Sequence, residues 1–281
     1  MKAQTNTPKL NAKYYPLHKI DVHDIRQMYG IYSQYYENTS WDIFLRDLSK
    51  KTGAFILTCP KEQRIVGFST IVTSDLMVKG EKARAVFSGD TIIERAYWGS
   101  RALQVAFYKF VVLEKARHPR QTLYWLLISK GFKTYLLLAN NFTTYYPNPS
   151  NTHGYLADVV DDYCQQMFAD YYDAEKRVLD FGHDYQCLKG DVAEIDDTLR
   201  HQNRKIRFFE ECNPEWRRGT ELPCVGVLDL ENLGKYVLKY LSKASSKGRR
   251  DALNVEPQTT SRAEVHPLRA PVLVSPIQRR A

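Results

Sequence analysis

The sequence predicts an α/β fold: a mixed, mostly antiparallel sheet flanked by helices, with a helical insertion at 150–211 and a disordered C-terminal tail. Three observations predict it. Strand-length apolar runs alternate with amphipathic helical patterns through residues 54–142. The run Leu123–Ser129 is apolar on both faces, as suits a central strand between two helical layers. A chain of 281 residues with 43% hydrophobic and 12% aromatic content has ample material for a core.

The elements follow in order. Residues 24–36 place Ile25, Met28, Tyr29, Tyr32, Tyr35 and Tyr36 at helical spacing, with Asp21 or Asp24 as N-cap. Ser40 caps a second helix at 41–50, whose Trp41, Phe44, Leu45 and Leu48 share a face. Residues 54–58 and 64–73 read as a hairpin around a turn at 60–63, and 79–82 breaks the chain before a third strand at 84–93. Residues 100–116 form a long helix ended by Pro119. After the strand Leu123–Ser129, a helix covers 131–141. In the insertion, 157–168, 174–179 and 192–211 read as helices. A strand at 222–228 is expected to rejoin the sheet, and 230–241 reads as a terminal helix. The domain is therefore placed at 14–241 and the tail at 242–281.

The net charge of +8 invites a nucleic-acid reading, but its distribution argues against one. The tail alone carries eight Lys/Arg against three acidic residues, so the body is only mildly basic. The five cysteines are scattered and the seven histidines lack ligand spacing, which excludes zinc motifs and a disulfide framework. The polar start, 1–13, has no apolar h-region, and no apolar run is long enough to span a bilayer. A soluble, cytoplasmic protein is expected. The 19 tyrosines fit packing surfaces or a hydroxyl-rich pocket. No phosphate-binding G-x-x-x-x-G-K-[ST] or G-x-G-x-x-G loop is present.

The chemistry concentrates where a strand ends in a Gly-containing turn that opens a helix, residues 91–103. The first helical N–H groups lack intrahelical partners and the helix dipole favours an anion there. Three stretches resemble the GNAT acyltransferase superfamily. Arg64–Ser69 resembles its hydrophobic-Gly-Phe hairpin strand, through Gly67 and Phe68. Residues 91–103 lie at the position of its pyrophosphate loop. The strand Leu123–Ser129, followed by a helix ending at Asn141 and Phe142, is similar to its last core strand and helix. With Gly99 as the fixed glycine, Ala96 stands where Arg or Gln is usual and Arg101 where a second small residue is usual. A shifted register puts Trp98 at the basic position.

The resemblance implies acyl transfer from a CoA thioester, with acetyl-CoA or another acyl-CoA as donor, to an amine of a small molecule or protein. It implies that Trp98, Gly99, Ser100 and Arg101 hold the pyrophosphate. A carboxylate would take the amine proton, and Asp90 and Glu94, four apart on the third strand, are the candidates. A tyrosine would protonate the thiolate, the candidates being Tyr135 and Tyr145 or Tyr146. The insertion is expected to shape the acceptor side. Two other readings stay open: a GNAT-like binding or regulatory protein without catalysis, and an acyltransferase whose donor is an acyl carrier protein. No metal is expected.

Overall fold

A computed structural model describes residues 9–182, 185–189 and 194–229, all within one compact unit. The helix expected at 230–241 and the tail at 242–281 lie outside these residues. The strands are β1 (Asn11–Pro16), β2 (Tyr36–Glu37), β3 (Gly53–Cys59), β4 (Arg64–Val78), β5 (Glu81–Ile93), β6 (Leu123–Ser129), β7 (Tyr145–Tyr146), β8 (Tyr172–Asp173), β9 (Val178–Leu179), β10 (Cys187–Leu188) and β11 (Leu222–Val227). The helices are α1 (Val22–Tyr35), α2 (Trp41–Leu48), α3 (Ala102–Arg117), α4 (Phe132–Ala139), α5 (Ala157–Phe168), α6 (Asp197–Gln202) and α7 (Arg204–Cys212).

Among the described residues the main sheet has seven strands, in the order β1-β3-β4-β5-β6-β11-β7. Every pairing in it is antiparallel except β5 with β6, which is parallel. β11 does rejoin this sheet, pairing Leu222–Val227 against β6. Two helical layers cover it. Phe110 of α3, Tyr135 of α4 and Phe209 of α7 pack on one face with Phe55, Trp125 and Leu127. On the other, α1 and α2 cover Ile56 and Phe68, and α5 covers Phe87, Leu126 and Val225. Consecutive residues Trp125, Leu126 and Leu127 alternate between the layers, which is why β6 reads as a continuous apolar run.

Local chemistry sets the ends. Asp21 accepts from the Asp24 N–H at 2.8 Å to start α1, and Ser40 caps α2 through the Ile43 N–H. The β4–β5 hairpin is longer than the sequence suggests. Lys79 (φ +50°) and Gly80 (φ +81°) form a tight two-residue turn, so the chain after residue 73 continues as strand to Val78.

Three expectations are corrected. The helix at 174–179 is instead a turn leading into β9, because Asp173 accepts from the N–H groups of Glu175 and Lys176 and Arg177 is left-handed at φ +52°. The helix at 192–211 is broken at Asn203, whose extended backbone lets its side chain cap α7 through the Lys205 N–H. The helix expected from residue 100 begins at Ala102, after a single 3-10 turn at Arg95–Tyr97. The edge strand β1 has no counterpart in the sequence reading.

Candidate active site

The site grows from one irregularity in the sheet. The parallel ladder runs from Arg84 opposite Leu123 to Ser88 opposite Leu127 and stops, while β5 continues to Ile93 without β6 beside it. On its other edge β5 bulges. Ser69 pairs with Thr91 and Ile71 with Ser88, so Gly89 and Asp90 together oppose Thr70. Glycine suits that position, since a Cβ on residue 89 would lie 2.5 Å from Thr70 Oγ1 and force the threonine side chain to shift. At the last paired position the Trp125 indole N–H donates to Ser88 Oγ at 2.8 Å.

A cleft of about 810 Å³ opens where the strands part. Both helical layers line it: Leu103, Phe107 and Leu137 from the α3/α4 side, and Tyr36, Lys51 and Phe168 from the other. The passage therefore crosses the sheet. Residues of the insertion, Met167, Phe168, Tyr171, Phe181, Tyr185 and Gln186, form part of its wall.

At the α3/α4 mouth, Gly99 takes φ +89°, the left-handed conformation that favours glycine, and turns the chain into α3. Trp98 donates its indole N–H to the Ile93 carbonyl at 2.7 Å, and its ring carries Lys133 Nζ at 4.1 Å and the Arg95 guanidinium at 5.7 Å. The Arg101 side chain does not cap α3, and Ser100 Oγ lies 3.4 Å from the Ala102 N–H. Trp98 and Gly99 line the cleft; Ser100 and Arg101 follow at the start of α3 and are not part of its lining.

Of the sequence candidates for proton transfer, Asp90 lies on the cleft wall, half-buried. Its carboxyl is pushed up to about 6, first by burial. Lys51 and Lys130 oppose the shift, and Asp47 and Glu221 add to it. Glu94 is elsewhere. β5 ends at Ile93, and Glu94 forms a two-pronged ion pair with Arg64 while its N–H bonds the Val66 carbonyl. The bulge and the strand end separate two carboxylates that a regular strand would place on one face. Tyr135 is fully buried and donates to the Pro147 carbonyl at 3.1 Å; Tyr145 is buried as well. Burial raises both hydroxyls, and neither lines the cleft.

The polar groups around Asp90 come from separate elements. Lys51 bonds Asp47 at 2.8 Å, and Lys130 bonds Glu221, two side chains almost closed to solvent. Tyr36 and Tyr185 also face Asp90, and burial raises both of their hydroxyls far above the usual range. None of these partners carries a local sequence signal for the site. Tyr36 and Tyr185 are two of 19 tyrosines, and the others are lysines and carboxylates without motif spacing.

No protein-family model matches this chain, and neither does any curated protein. Solved structures do. A GNAT family N-acetyltransferase of Escherichia coli in complex with CoA matches at 16% identity over 47% of this chain and 72% of that one, with a TM-score of 0.33. A predicted acetyltransferase of Clostridium acetobutylicum with acetyl-CoA matches at 15% identity over 43% of this chain and 81% of that one, TM-score 0.32. A probable N-acyltransferase of Enterococcus faecalis V583 matches at 11% over 48% of this chain, TM-score 0.35, and the match spans only 33% of that protein. The cleft's own residues, and not these likenesses, carry the chemistry.

Proposed function

We propose that this protein transfers an acyl group from a CoA thioester to an amine. The observation that supports it is the parting of β5 from β6, which opens a passage through the sheet. A thioester arm entering from the α3/α4 side can meet an amine entering from the other. The start of α3, with Trp98, Gly99, Ser100 and Arg101, together with Lys133, is the place for the donor's pyrophosphate. The β5 edge that β6 leaves at Gly89–Ile93 offers backbone N–H groups to the thioester carbonyl as it becomes an oxyanion.

In this reaction the amine nitrogen bonds to the thioester carbon, the carbon–sulfur bond breaks, and the CoA thiolate leaves. Asp90 takes the proton that the nitrogen sheds, directly or through one water. A carboxylate titrating at about 6 is ionised at neutral pH and basic enough for this role. The thiolate takes its proton from solvent as it leaves; burial pushes the Tyr36 and Tyr185 hydroxyls far above the range of a thiol, so they stay protonated beside Asp90 and serve there as hydrogen-bond donors. Glu94 is committed to Arg64, and Tyr135 to a core carbonyl, so neither is assigned a step.

Calorimetric titration with acetyl-CoA tests the donor, beside thiol release in the presence of amines. Micromolar binding, weakened at least ~10-fold by Arg101→Glu, is the expected result. Absence of binding in the wild type would sink the CoA reading.

A further inference from the structure

The acceptor side of the cleft presents three carboxylates and three lysines. Lys51 is neutralised by Asp47 at 2.8 Å and Lys130 by Glu221. Lys50 lies at the exposed rim. Asp90 is left over. Among the described residues its carboxylate accepts no hydrogen bond, and the lysines it feels are already bonded to other acids.

Two aromatic stacks flank this carboxylate. Tyr36 lies flat on Tyr32, with ring centres 4.4 Å apart and planes within 5°. From the insertion, Tyr185 stacks on Phe181 at 4.4 Å, and Phe181 meets Tyr171 at 4.8 Å. The Tyr185 ring already holds one cation, with Lys130 Nζ 4.6 Å from its centre. A leftover negative charge between aromatic faces is an environment that receives a cation and repels an anion. A ligand carboxylate would lose its hydration here beside a like charge and find Lys51 and Lys130 occupied, while Lys50 at the exposed rim offers only a solvent-screened charge.

We propose that the acceptor is a primary amine on an apolar or aromatic skeleton, without a carboxylate beside the nitrogen, received as an ammonium between Asp90 and the rings of Tyr36 and Tyr185. What happens to that amine rests on the acyl-transfer reading; its identity rests on the charges and rings just described. After docking, the ammonium sheds one proton to solvent and attacks as the free amine. Asp90 then takes the proton lost from nitrogen as the amide bond forms.

The test compares two ligands that share a skeleton and differ by one carboxylate. Phenethylamine and phenylalanine are titrated calorimetrically into the full chain at pH 8. Phenethylamine is expected to bind at least tenfold more tightly. Asp90→Asn should weaken phenethylamine at least tenfold while leaving phenylalanine unchanged. Tyr185→Leu should weaken it severalfold, with melting curves confirming that both variants fold. Equal or tighter binding of phenylalanine, or no binding of phenethylamine, overturns the proposal. A parallel acetyl-CoA titration separates the two readings. Selective amine binding without CoA binding removes the donor assignment and leaves this one. CoA-dependent thiol release that prefers phenylalanine does the reverse.

Discussion

Replacing Asp90 by asparagine should make the protein more stable and inactive together. Burial holds the Asp90 carboxyl at about 6 instead of 3.8. That difference means that keeping the group ionised at neutral pH costs the folded state about 3 kcal/mol. The sign follows from linkage. The folded protein binds this proton more tightly than the unfolded chain does. Its contribution is therefore fully favourable below the unfolded value and is lost as pH rises through about 6. An asparagine side chain carries no such cost. At pH 8 the variant should gain up to about 3 kcal/mol, a rise of about 6–12 °C in Tm. At pH 4.5 the gain should shrink to about 1 kcal/mol. Urea denaturation followed by tryptophan fluorescence at the two pH values measures this, and thiol release measures the loss of transfer, expected at ~100-fold or more. A variant that is less stable at pH 8, or whose gain does not diminish at pH 4.5, would refute the claim that Asp90 is a strained, unpaired acid.

In wild type, log kcat/KM against pH should bend at an apparent pKa of about 6, climbing more steeply below it than above, where only the acceptor ammonium still titrates; a profile without that bend between pH 5 and 8 would exclude Asp90 as the base. Glu94→Gln should keep that profile while costing about 1–2 kcal/mol of stability through the broken Arg64 pair, read by urea denaturation. Gly89→Ala should cost about 1–3 kcal/mol, because its Cβ would meet Thr70 Oγ1, and Thr70→Ala in the same chain should recover most of the loss. Asn203→Ala, by removing the α7 cap, should lower stability by about 1 kcal/mol in the same assay.

The central elements were legible because their periodicity is strong. β6 matches its apolar run residue for residue, α1 and α2 follow from face spacing and caps, and α3 follows from its helical pattern and the proline after it. What escaped was governed by non-local pairing or turn chemistry. β1 is an edge strand recognisable only by its partner β3, and β9 replaces a helix because Asp173 captures two backbone N–H groups. The site divided in the same way. Asp90 and Gly99 stood out because they flank a strand-to-helix turn. The pairing of Glu94 with Arg64 depended on a strand 30 residues earlier, and the burial of Tyr135 depended on Phe209 of α7. Lys51, Lys130, Tyr185 and Glu221 converge on Asp90 from four separate segments, so no window of sequence contains the constellation.

The position of β11 has a consequence during synthesis. Its six residues pair with β6 although they follow it by about a hundred positions, a long-range contact of the kind that slows folding. At ordinary translation rates of about 5–20 residues per second, β6 waits roughly 5–20 s for its neighbour to be made. Through that interval an apolar strand keeps one bare hydrogen-bonding edge, and the Lys130–Glu221 pair beside it cannot exist. The half-built sheet is thus most exposed to mispairing before the last strand arrives, and a chain cut short of residue 222 would stay in that condition.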